Sequence, residues 1–101
     1  MNEKAYHAKL DKLFLELEEA LEAASPDLDW DLQEGILTIT FPQGSQLILS
    51  RQSSSEELWL ASPTGAFHFQ DTEQGWVTRK GESLTTTLQH IFNHYHIQVT
   101  L

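Results

Sequence analysis

The chain has 101 residues, with 15 Asp and Glu against 6 Lys and Arg, a formal net charge of −9 and no cysteine. That length suits one small domain, expected over 1–101, and the charge argues against phosphate backbones and anionic membranes as ligands. The missing cysteines exclude disulfides, thiolate nucleophiles and Cys-based zinc or iron–sulfur ligation.

The first element is predicted to be a helix. Tyr6, Leu10, Leu13, Phe14, Leu17, Leu21 and Ala24 recur at steps of three and four, which builds one apolar face. Asn2 is the expected N-cap, and Pro26 ends the helix by driving Ser25 out of the α region. Asp11, Glu18 and Glu22 form one stripe of the polar surface, with Glu16 and Glu19 beside it. Lys4, Lys9 and Lys12 stand near the start and the acids near the end, against the preference of the helix dipole. Between Glu16 and Glu34 there are eight acids and no base, so nothing local neutralises them.

Short β-strands follow. Leu28, Trp30 and Leu32 alternate with Asp29 and Asp31, which places the acids toward water. Glu34-Gly35 turns into Ile36–Phe41, Pro42-Gln43-Gly44-Ser45 turns again, and Gln46–Arg51 is the next strand. Leu58–Ala61, Ala66–Gln70 and Trp76–Thr78 complete the set, and their short connections predict an antiparallel meander. Ser83 caps a last helix with Leu84, Leu88, Ile91, Phe92 and Tyr95 on one face, and Ile97, Val99 and Leu101 read as a tail lying on the sheet or helices. The fold class is therefore α+β: a two-layer sandwich with two helices on one face of an antiparallel sheet of about six strands, in the order α-β-β-β-β-β-β-α.

Glu18 and Glu22 are one helical turn apart and can share one ion or one basic side chain, and Glu19 with Glu22 offers a second pair. Asp29 and Asp31 extend the acidic surface. Hard carboxylate oxygens suit iron, manganese, calcium and magnesium, and an open array of them binds weakly at several sites. Against this stands the plain reading of a solvated face. The crowding favours function, because each like-charge pair at this spacing costs about 0.2–0.5 kcal/mol.

Among the histidines, His7 lies one turn before Asp11 and could join an ion site there. His90 and His94, spaced i, i+4 with His96 just beyond, could grip a divalent metal, or serve as exposed polar positions at a helix C-terminus. His68 is expected on the open sheet face. Trp59, between Leu58 and Leu60, must face away from both. With His68 and Arg51 on adjacent strands it suggests a partner surface. Trp30 and Trp76 read as packing residues. No phosphate loop, nucleophile elbow or HExxH motif is present, so an enzyme is not expected.

These stretches in their order resemble the frataxin family, in its bacterial CyaY-type branch. Leu13–Glu22 (LFLELEEALE) is similar to the family's first helix and Gly35–Phe41 (GILTITF) to its second strand. Ser50–Gln52, Glu57–Ser62, Gly65–Phe69 and Arg79–Glu82 follow in the family's order, so the resemblance spans essentially the whole chain. Ser50 and Glu57 depart from it, standing where the family usually has Asn and Gln. The resemblance implies weak, labile binding of Fe2+ or Fe3+ on an acidic ridge, for which other divalent cations substitute. It also implies docking on the cysteine desulfurase of the iron–sulfur machinery, and on its scaffold protein. Glu18, Glu19, Glu22, Asp27, Asp29 and Asp31 fall on ridge positions, with His7 and Asp11 as further candidate metal ligands. Glu16, Glu18, Glu19 and Glu22 join Trp59, Arg51 and His68 as candidate partner-binding residues. The competing readings are an iron store or ferroxidase, and an acidic interaction module without a metal. The expected form is a monomer, with oligomers only on metal loading.

No run approaches the roughly 18–20 apolar residues that cross a bilayer, and Met1-Asn2-Glu3-Lys4 lacks the basic start of a secretory signal, so the chain reads as cytoplasmic.

Overall fold

The computed structural model describes residues 3–24 and 28–101. The expected N-cap Asn2, the helix-ending Pro26 and the ridge candidate Asp27 lie outside the described residues. In chain order the elements are α1 (Glu3–Glu22), β1 (Asp29–Gln33), β2 (Ile36–Thr40), β3 (Gln46–Gln52), β4 (Glu57–Ser62), β5 (Gly65–Thr72), β6 (Gly75–Val77) and α2 (Leu84–His94). The six strands pair antiparallel in sequence order, so β1 and β6 are the sheet edges.

The alternation read from the sequence sets the faces. Trp30 pairs with Ile39 and Leu32 with Leu37, and both pairs share the side on which Leu47, Leu49, Leu58, Leu60 and Phe69 are buried. The two helices cover this side. The α1 stripe of Tyr6, Leu10, Phe14, Leu17 and Leu21 is buried there, as are Leu84, Leu88, Ile91 and Phe92 of α2. Phe92 meets Phe41 edge-on at 5.9 Å and Tyr95 stacks on it at 4.2 Å, fixing α2 against the end of β2. Truncating one of these fully buried leucines to Ala would remove about 2–5 kcal/mol, a large share of a small domain's stability.

Local sequence explains the element ends. Glu34 and Gly35 both have positive φ, 50° and 78°, which closes the two-residue β1–β2 hairpin with the twist its strands require. A Cβ on Gly35 would stand 3.4 Å from the Arg51 side chain, so this glycine also admits that arginine. Ser83 caps α2 by accepting from the Thr86 N–H at 3.1 Å, as expected. The buried Thr87 hydroxyl donates to the Ser83 carbonyl at 2.8 Å, which satisfies the most enclosed of the three threonines. The tail departs from expectation at its last residue. Ile97 and Val99 are buried, but Leu101 is exposed at the mouth of a small groove between the helices.

Candidate functional site

Three cross-links seat the N-terminal half of α1 on the sheet. The Tyr6 hydroxyl donates to the Glu57 carbonyl at 2.6 Å and accepts from the Gln52 N–H at 3.0 Å, tying the helix to β3 and β4 at once. Its burial holds the phenol above its ordinary pKa. Lys9 pairs with Asp71 of β5, whose side chain is almost wholly enclosed. Arg51 of β3 donates from Nη2 to Asp11 at 2.7 Å and shares Nη1 with His7 Nδ1 at 2.8 Å, with its guanidinium 5.5 Å from the Phe14 ring centre.

These contacts consume bases where they occur and leave the other end of the helix bare. Among the described residues, the acids in ion pairs are Glu3, Asp11, Glu16 and Asp71. The Glu16 pair with Lys12 is long, 4.0 Å, and exposed on both sides, so it contributes little. No Lys or Arg stands against Glu18, Glu19, Glu22 or Asp29 in these pairs, and Asp31 has only a 3.5 Å contact from the Gln33 amide. The ridge is thus uncompensated, while Asp11 and His7 are engaged by Arg51.

The flanks of α1 differ. Glu18 lines a shallow depression with Asp11, Leu32, Gly35 and Arg51, so its side of the helix runs along the β1–β2 edge. Glu16 lines the opposite groove with Leu84, Leu88 and Leu101, toward α2. Asp29 and Asp31 are exposed on β1, the strand at that same sheet edge, and point to the face away from the helices. Glu18 with Asp29 and Asp31 therefore wraps around one edge of the molecule, and Glu16 lies away from it. Among the described residues no three acidic or imidazole side chains converge as a closed metal cage. Oxygen donors spread over an exposed edge fit weakly held, exchangeable hard cations, iron included.

The open face of the sheet carries a second constellation. Trp59 is 37% exposed, and its indole stacks on the His68 imidazole with ring centres 4.3 Å apart and planes 8° from parallel. The pair follows from register, since Trp59 and His68 are Cα partners across β4 and β5. The Trp59 N–H donates to Glu57 at 3.1 Å, and this bond, more than any neighbouring charge, holds the Glu57 carboxyl below its ordinary range.

Arg51 does not join that surface. It has the parity of Leu47 and Leu49 in β3, faces the helix side and is 17% exposed under α1. Strand parity alone would have assigned it there. The Lys9–Asp71 and Tyr6–Glu57 ties had no sequence signal, because each joins positions more than fifty residues apart.

A family profile described as a frataxin-like domain matches residues 1–97. The chain is 33% identical over 100 residues to the "Iron-sulfur cluster assembly protein CyaY" of Actinobacillus pleuropneumoniae serotype 5b, covering 99% of each chain. It is 36% identical over 90 residues to the protein of the same name in Vibrio cholerae, covering 88% of this chain and 86% of that one. Among solved structures, a frataxin from Psychromonas ingrahamii superposes with a TM-score of 0.88 at 29% identity, over 98% of this chain and 96% of that chain. No helix is long and apolar enough to cross a membrane among the described residues.

Proposed function

Because this chain belongs to the frataxin-like family, we propose that it serves iron–sulfur cluster assembly as a binding protein, with no catalytic step of its own. The ridge of Glu18, Glu19, Glu22, Asp29 and Asp31, with Asp27 in the same stretch of sequence, holds ferrous or ferric iron weakly. The same acids dock on a basic surface of the cysteine desulfurase, where the protein acts as regulator or iron donor. Trp59 with His68 supplies an aromatic anchor on the open face for that enzyme or its scaffold. Arg51, His7 and Asp11 position α1 in this reading instead of contacting ligands.

One observation carries the proposal. Arg51 is spent on Asp11, and α1's own Lys9 and Lys12 on Asp71 and Glu16, so among the described residues the crowded Glu18, Glu19 and Glu22 stand in no ion pair. Crowding of this kind costs stability unless cations from outside relieve it.

A desulfurase titration at rising ionic strength tests the docking. Affinity is expected to fall steeply with salt, to vanish with Glu18→Lys, Glu19→Lys and Glu22→Lys combined, and to weaken with Trp59→Ala while iron binding persists. An affinity indifferent to salt and to the charge reversals would overturn it.

A further inference from the structure

We propose that His90 and His94 form a two-imidazole chelate for a late first-row divalent cation, copper(II) ahead of nickel(II) and zinc(II), in a hollow that no ridge acid lines. The two residues are one turn apart on α2, a spacing that brings their Cβ atoms to about 5–6 Å on one face. Helix-borne metal sites use the same i, i+4 separation because two imidazole nitrogens then reach one ion.

The surroundings put both residues at one hollow. Thr87 and Ile91 are buried against the core, so the exposed His90 and His94 stand on the flank of that stripe. Both line one surface hollow of about 320 Å³, together with Phe67 of β5 and Glu82. Among the described residues the His90 side chain makes no hydrogen bond or ion pair, and the His94 ring packs edge-to-face on Tyr95 at 4.9 Å. The site also sits at the carbonyl end of α2, where the helix dipole favours a cation.

The donor type sets the selectivity. Neutral imidazole is a borderline ligand that favours copper, nickel and zinc, whereas the carboxylates of α1 favour harder ions. Among the described residues no third His or acid converges with the pair, so water fills the remaining positions. The chain thus carries two separate cation surfaces of different chemistry, an oxygen edge on α1 and β1 and a nitrogen pair on α2.

The test uses the tag-free full chain with one equivalent of copper(II), read by EPR and by competition titration. Nitrogen hyperfine structure is expected, with affinity falling at least about tenfold in each of His90→Gln and His94→Gln, on the scale of losses when metal-orienting groups are removed. His96→Gln and the combined Glu18→Gln, Glu19→Gln, Glu22→Gln variant should bind as the parent does. Undiminished binding in His90→Gln and His94→Gln, or a nitrogen signature lost in His96→Gln instead, overturns the proposal. Paramagnetic broadening of the His90 and His94 ring protons in the unsubstituted chain gives the same decision if a variant fails to fold.

Discussion

Arg51 reaches across from β3 to donate to Asp11 at 2.7 Å, and this bond separates the acids of α1 into two groups. Asp11 is neutralised and structural. Glu18, Glu19 and Glu22, about two to three turns further along, have no such partner. An uncompensated ridge should behave as a destabilising feature in the free protein. The combined Glu18→Gln, Glu19→Gln, Glu22→Gln variant is expected to gain stability at low salt, by about 0.2–0.5 kcal/mol for each like-charge pair removed. Urea unfolding at low and high ionic strength checks this, and the gain should shrink as salt screens the parent's repulsion.

Replacing Arg51 by Met removes the bonds to Asp11 and His7 and the contact with Phe14 while keeping most of the apolar stem. A loss of about 2 kcal/mol is expected from two charge-assisted contacts, partly offset by relieving the buried Nε that lacks a partner. For a domain of this size each kcal/mol moves the melting temperature by about 4–8 °C. Docking contacts through Trp59 should survive, since Arg51 lies on the other side of the sheet.

Tyr6→Phe deletes the hydroxyl that bridges Glu57 and Gln52. The Gln52 N–H and the Glu57 carbonyl lose their common partner, and about 1–3 kcal/mol should go with it. The sign in pH is also fixed. Burial raises the folded pKa of Tyr6 above 10.0, so the parent loses stability as the pH climbs past that value, because the unfolded phenol releases its proton first. Alkaline melts of Tyr6→Phe should lack this component.

Glu57 gives the opposite case. The Trp59 N–H depresses its carboxyl below 4.5, so its contribution is complete above that value and is lost as pH falls through the folded pKa. Trp59→Phe keeps an aromatic ring on His68 but removes the donor. The Glu57 carboxyl should then titrate closer to 4.5 when followed by NMR.

Much of this arrangement was readable in the residues. The α1 stripe, the Trp59 and His68 outward parity and the Ser83 cap each follow from short-range periodicity or capping chemistry, and the structure has all of them. Trp30 and Trp76 are packed against the core, as expected. What periodicity left open was the assignment of charge. Arg51 was grouped with Trp59 because the strands are adjacent, although its parity with Leu47 and Leu49 turns it under the helix. Glu16 and Glu18 are close in sequence but fall on opposite flanks of α1, since two helical steps amount to about 200°. Leu15, 57% exposed beside the ridge, was absent from the apolar stripe for the same geometric reason. Long-range ties such as Lys9 to Asp71 depend on how α1 lies across the strands, which no local pattern encodes.

The most direct test of the acidic edge as the iron surface is an anaerobic titration of the 15N-labelled chain with ferrous iron. Amides of residues 16–22 and 29–31 should broaden first and together, with the Trp59 and α2 signals spared at low iron. Broadening that begins elsewhere, or that spreads evenly over the chain, would contradict the account.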